Sequence, residues 1–161
     1  MDKGIILALL NPAISLAFAG AFFLLWRYQR NRPYVAVLAL SYLCGALGFL
    51  LQYFTLPIGF AATKLLSNLF FMGTALMLCG AIFARFRRPA PWPRFIAIGI
   101  AGMGAFTWFL LVDPSLTWRI YSMNFAFGAL ALSVAADLRQ VRDKTTLDRL
   151  LAWFLLFSGL N

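Results

Sequence analysis

Residues 4–33 read GIILALLNPAISLAFAGAFFLLW followed by RYQRNRP. Gly4 to Trp26 contains no charged side chain, and a helix over it, rising 1.5 Å per residue, is long enough to cross roughly 30 Å of hydrocarbon. Arg27, Arg30, Arg32 and Pro33 then halt both insertion and helix. The stretch predicts a transmembrane helix with a cationic exit. A cleavable leader is the competing reading, because Ala17-Phe18-Ala19 resembles a small-x-small cleavage site. Against it, the amino end carries Asp2 beside Lys3, and the apolar run continues past that site to the basic stop.

The same pattern recurs outward from this stretch. Further apolar spans cover about 34–54, 65–84, 95–112 and 120–136. They are separated by Thr55-Leu56-Pro57-Ile58-Gly59, by Arg85-Phe86-Arg87-Arg88-Pro89 with Pro91 and Pro93, by Asp113-Pro114-Ser115, and by the charged stretch 137–144. Apolar residues make up 63% of the 161 and charged ones 12%, against roughly 45–50% and 25% in an ordinary soluble chain. With a mean hydropathy of +0.84, the expected fold is all-α: a polytopic membrane helix bundle forming one transmembrane domain over 1–161.

Thr145 to Asp148 has capping-box spacing for a sixth helix, but 150–161 supplies only twelve apolar-rich residues, rising about 18 Å. Ending there would leave a carboxylate and orphan carbonyls in lipid. The expectation is five full spans, a truncated sixth, and a chain that is a fragment of a longer protein. A re-entrant half-helix enclosed by the bundle is the alternative.

Eleven of the fourteen cations fall in alternate loops: Arg27, Arg30 and Arg32; Arg85, Arg87, Arg88 and Arg94; Arg139, Arg142, Lys144 and Arg149. Only Lys3, Lys64 and Arg119 lie on the other side. Basic loops stay cytoplasmic, so the amino terminus is expected outside. Trp26, Tyr28, Tyr34, Tyr53, Trp92, Trp118 and Tyr121 sit near span ends, where aromatic belts form. The net charge of +9 is spread over short juxtamembrane loops, which suits anionic lipid headgroups and excludes the single basic face that nucleic acid requires.

The ionisable inventory narrows the chemistry. There is no His and no Glu, and the acids are Asp2, Asp113, Asp137, Asp143 and Asp148. A Ser-His-Asp or Cys-His pair lacks its base, and zinc and haem lack their usual imidazole. No catalytic, cofactor-binding or metal-binding residue is assigned, and no cofactor is expected. Cys44 and Cys79 read as small apolar packing residues. Ser41 with Gly45, the run Ala13, Ala17, Ala21 and the run Ala97, Ala101, Ala105 each offer a small face for close helix approach. Pro12 removes one backbone donor and is expected to bend the first span.

No ionisable group lies inside a span, which argues against coupled ion transport. The polar side chains that could form a site are Asn11, Gln52, Asn68 and Asn124, all in the outer halves of their spans, with Arg119 at the mouth. They either hydrogen-bond neighbouring helices or line a small outward-facing cavity for a polar or anionic ligand.

Certain stretches carry a family likeness: Asn11-Pro12-Ala13-Ile14 to Trp26-Arg27, Ala46-Leu47-Gly48-Phe49-Leu50-Leu51-Gln52, and Lys64-Leu65-Leu66-Ser67-Asn68-Leu69. Val112-Asp113-Pro114-Ser115-Leu116-Thr117, Arg119-Ile120-Tyr121-Ser122-Met123-Asn124-Phe125 and Asp148-Arg149-Leu150-Leu151 to Asn161 continue it. With them the chain resembles, over nearly its full length, the amino-terminal membrane region that precedes GGDEF domains in proteobacterial diguanylate cyclases. The resemblance implies further spans and a cytoplasmic domain that condenses two GTP into cyclic di-GMP. The GGDEF motif itself is absent, so no catalytic residue carries over.

The resulting expectation is a sensory or anchoring module in a bacterial inner membrane, acting on a downstream cytoplasmic effector, with a homodimer implied by the resemblance. The alternative is a stand-alone small multi-pass protein, either a passive transporter piece or a structural subunit.

Overall fold

A computed structural model describes the backbone of residues 3–139 and the side chains of residues 9–139. Over that range the chain is all-helical, in the order α1 (Lys3–Tyr28), α2 (Pro33–Tyr53), α3 (Phe60–Arg85), α4 (Trp92–Leu111) and α5 (Leu116–Arg139). Each of the five contains a stretch long and apolar enough to cross a membrane. The sixth segment expected at 150–161 and its capping box lie outside the described residues.

Two boundaries differ from the sequence reading by more than three residues, and both differences come from caps. Helix α3 begins at Phe60 rather than Leu65, because Gly59 turns the chain at φ 97°. Thr63 Oγ1 then donates to the Gly59 carbonyl at 2.8 Å and accepts the Leu56 N–H at 3.1 Å. Lys64 therefore sits on the helix, and its charge did not mark the start. Helix α5 begins at Leu116, where the Ser115 hydroxyl accepts the Trp118 N–H at 3.4 Å, a side-chain N-cap. Pro12 does not interrupt α1, which is one continuous helix through it.

The chain divides into two compact units, residues 1–90 and 91–161. In the first, α2 lies between α1 and α3 and packs against both. Its buried residues are Val35, Ala39, Ser41, Gly45, Ala46 and Gly48, met from α3 by Ser67, Phe71 and Thr74. In the second unit α4 and α5 form a hairpin. Phe95, Gly99, Gly102 and Phe106 are buried from α4 at alternating four- and three-residue steps, opposite Met123, Ala126, Leu130 and Val134 of α5. Arg94 pairs with Asp137 at one end of this hairpin, and Phe109 stacks on Trp118 at the other, with centroids 5.8 Å apart.

Burial includes small hydroxyl side chains and leaves many large apolar ones outside. Ser41, Thr63 and Ser67 are fully buried, while Leu24, Ile100 and Phe125 are 68%, 68% and 71% exposed. Large apolar side chains on the outside and small or hydroxyl side chains between helices are what hydrocarbon solvent favours. The alanine stripes at Ala13, Ala17, Ala21 and at Ala97, Ala101 are exposed, and α1 instead buries Pro12, Ser15 and Ala19. Alanine is common enough in such helices that its spacing alone did not identify the packed face.

The closest approach occurs at Gly48. A Cβ there would lie 2.8 Å from the Phe71 ring, which is itself held edge-on against Phe49 at 4.9 Å. At Gly45 an added Cβ would meet Thr74 at 3.5 Å, an ordinary contact. Gly48→Ala is accordingly expected to lower unfolding stability in detergent by about 1–3 kcal/mol, with recovery on adding Phe71→Leu. Gly45→Ala is expected to remain within about 0.5 kcal/mol of the parent. Equal effects at the two glycines would contradict this packing.

Candidate functional site

The polar chemistry of the described spans gathers in the seam between α2 and α3. Ser41, Gly45 and Gly48 occupy one face of α2 at i, i+4 and i+7, and Ser67, Phe71 and Thr74 occupy the facing stripe of α3 with the same spacing. Because the α2 positions are small, the α3 hydroxyls reach the α2 backbone. Ser67 Oγ is 2.9 Å from the Gly48 carbonyl oxygen and 3.2 Å from Gln52 Oε1. Thr74 Oγ1 is 2.9 Å from the Phe70 carbonyl of its own helix and 3.2 Å from the Ser41 carbonyl across the seam. Lys64 Nζ donates to the Gln52 carbonyl near the end of α2, with its ammonium 5.5 Å from the Phe60 ring centroid.

A hydroxyl carries one proton. Ser67 and Thr74 therefore each face two acceptors and serve one at a time. Ser67 has a backbone acceptor and a side-chain acceptor on the same neighbouring helix, while Thr74 has one acceptor on its own helix and one on the neighbour. Such bonds across membrane helices contribute typically about 0.6 kcal/mol and at most about 2, small enough for exchange to be easy.

The five residues expected from sequence fall into different situations. Gln52, exposed overall, joins the seam through Ser67. Asn68 is half-buried and donates from Nδ2 to the Lys64 carbonyl of its own helix at 2.9 Å. Asn11 and Asn124 are exposed and make no side-chain hydrogen bond among the described residues. Arg119 is half-buried, and its Nε is enclosed without a hydrogen-bond partner among the described residues. Its backbone carbonyl accepts from Ser122 Oγ at 2.9 Å. Asn11, Gln52 and Asn68 belong to the first unit, and Arg119 and Asn124 to the second.

The hydroxyls of Ser67 and Thr74 thus do the joining that sequence reasoning offered to the amides, of which only Gln52 takes part. The available signal was the Ser41-Gly45-Gly48 stripe, which lets a short hydroxyl, but not a longer amide, fit between backbones. Cys44 is half-buried and Cys79 buried, both as free thiols. Among the described residues no three His, Cys, Asp or Glu side chains converge as a metal site would require.

Comparison with protein-family models, with curated proteins and with solved structures found no match.

Ser67→Ala removes the seam hydroxyl and is expected to lower stability in detergent by roughly 0.6–2 kcal/mol. Asn68→Leu and Asn124→Leu are expected to stay within about 0.5 kcal/mol. An Asn124→Leu loss as large as that of Ser67→Ala would show that the amide has a partner of its own.

Proposed function

We propose that this chain is the membrane-embedded sensory and anchoring module of a bacterial inner-membrane signalling protein, controlling a diguanylate cyclase domain that follows it in the full-length protein. One observation carries this reading. The polar atoms at the centre of the first unit are spent between helices, on hydroxyl-to-carbonyl bonds that each have a second acceptor within reach. A permeation path would instead leave ionisable or unshared polar groups facing an aqueous route. A seam of weak, exchangeable bonds suits a bundle with two packings of similar free energy. A stimulus that binds one packing better shifts the population and hence the attached effector.

In this reading the amino terminus is outside and the loops containing Arg27 to Arg32, Arg85 to Arg94 and Arg139 onward are cytoplasmic, resting on anionic headgroups. The resemblance to regions preceding GGDEF domains supports the choice of effector, and the homodimer it implies would bring two cyclase domains together.

The test is removal of codons 3–139 from the intact gene. Cellular cyclic di-GMP changed severalfold in either direction is expected from nucleotide extraction, with the distribution between membrane and soluble fractions followed alongside. Unchanged location and unchanged cyclic di-GMP would sink the proposal. Uptake of a polar solute by liposomes containing the purified chain would favour the stand-alone facilitator instead.

A further inference from the structure

The arginine-rich end of the first unit is hollow. The α1 to α2 connection and the end of α3 enclose a cleft of about 520 Å3, within the range of small-ligand sites. Its polar lining is Asn31, Arg32, Tyr34, Arg85 and Arg87, and no carboxylate is among the described residues that line it. Arg32 Nη1 donates to Tyr34 Oη at 3.3 Å, which occupies one of the five guanidinium donors. Arg85 lies with its Cζ 5.9 Å from the Phe86 ring centroid.

How α3 ends makes the arrangement less than accidental. The Arg88 N–H donates to the Phe83 carbonyl at 3.0 Å and the Arg87 N–H donates to the Ala84 carbonyl at 3.1 Å. Arg87 between them has φ 52°. This paired closure normally places glycine at the left-handed position, where a Cβ is strained. Here the position holds an arginine that lines the cleft. The helix terminus contributes only about half a negative charge, which offsets part of the guanidinium charges of Arg32 and Arg87 and leaves the cleft cationic. Tyr34 is in the lining and Trp26 and Tyr28 close the adjoining helix, the aromatic belt that marks headgroup depth.

We propose that this cleft is a stoichiometric site for a phosphate ester, supplied in the membrane by the headgroup of one anionic phospholipid. Arginine forks match phosphate oxygens two at a time, and Asn31 and Tyr34 add neutral hydrogen-bonding groups. The inference deepens the lipid-contact part of the proposed function and is independent of the cyclase assignment. A diffuse basic surface would lose affinity equally wherever a charge is removed, whereas a built site loses it at its lining residues.

The full chain, purified in neutral detergent, is titrated with phosphatidylglycerol, with phosphatidylcholine as the neutral lipid and glycerol phosphate as the free ester, and bound molecules are counted by native mass spectrometry. One phosphatidylglycerol per chain is expected. Arg32→Gln with Arg87→Gln is expected to weaken it by about 100-fold or more. Arg30→Gln with Arg88→Gln makes the same change in charge outside the lining and is expected to stay within about threefold. Arg87→Gly guards against a folding artefact. It should raise the Tm by roughly 2–4 °C through relief of the left-handed strain while weakening the lipid about tenfold. Competition by glycerol phosphate at comparable concentration would identify a soluble ester as an equal source, and its failure would identify the membrane headgroup. Equal losses in the two double variants, or no preference over phosphatidylcholine, would overturn the site.

Discussion

Hydrocarbon cannot hydrogen-bond a peptide group, and it is as apolar as leucine, so it neither satisfies a stray backbone atom nor drives helices together by burial. Everything described in this chain follows from that pair of constraints. The first forces continuous helices across each apolar run, five of them between Lys3 and Arg139. The second leaves van der Waals contact and short polar bonds to hold neighbours together, and these need backbones brought close. Gly48, with the Phe71 ring where its Cβ would be, and the Ser67 hydroxyl on the Gly48 carbonyl are two consequences of one close approach.

At the ends of the helices the constraint is reversed, because the headgroup region is wet and charged. Lysine and arginine at those depths interact with anionic lipid at about 1 kcal/mol each, and opposite charges pair at modest gain, as Arg94 and Asp137 do with both side chains partly exposed. The unusual element is the end of α3, where an arginine stands in a left-handed position that glycine normally fills. Backbone strain of that kind persists where the surroundings over-determine it and tends to coincide with binding sites. The seam in the middle of the first unit and the cationic cleft at its end are connected by α3 itself, since Ser67, Thr74 and Arg85 all lie on that helix. A ligand that shifts α3 along α2 would alter both.

The helices were legible in the sequence because apolar runs bounded by arginine, proline and glycine leave little choice: α1, α2 and α4 match their expected spans to within three residues at either end. The starts of α3 and α5 were not legible from hydropathy. Lys64 and Arg119 read as boundaries, whereas Gly59 and Ser115 were the structural ones. The packed faces were legible where glycine and serine alternated with the helical period, at Ser41 and Gly45, and not where alanine alone did so. The sequence placed the candidate site at the four amides because all of them lie in the outer halves of their spans. Size decided otherwise: Asn11 and Asn124 are exposed, each in its own unit, and Ser67 and Thr74 bridge.

The central claim is that these helices cross a bilayer in alternation, with the arginine-rich connections on the cytoplasmic side. Single cysteines at Asn31, Ile58, Pro89 and Thr117, placed in a chain with Cys44 and Cys79 changed to alanine, can be labelled with a membrane-impermeant maleimide on intact spheroplasts and again after permeabilisation. The account predicts labelling of positions 58 and 117 in intact spheroplasts, and of 31 and 89 only after permeabilisation. Labelling of all four from outside, or of 31 and 89 alone, would contradict it.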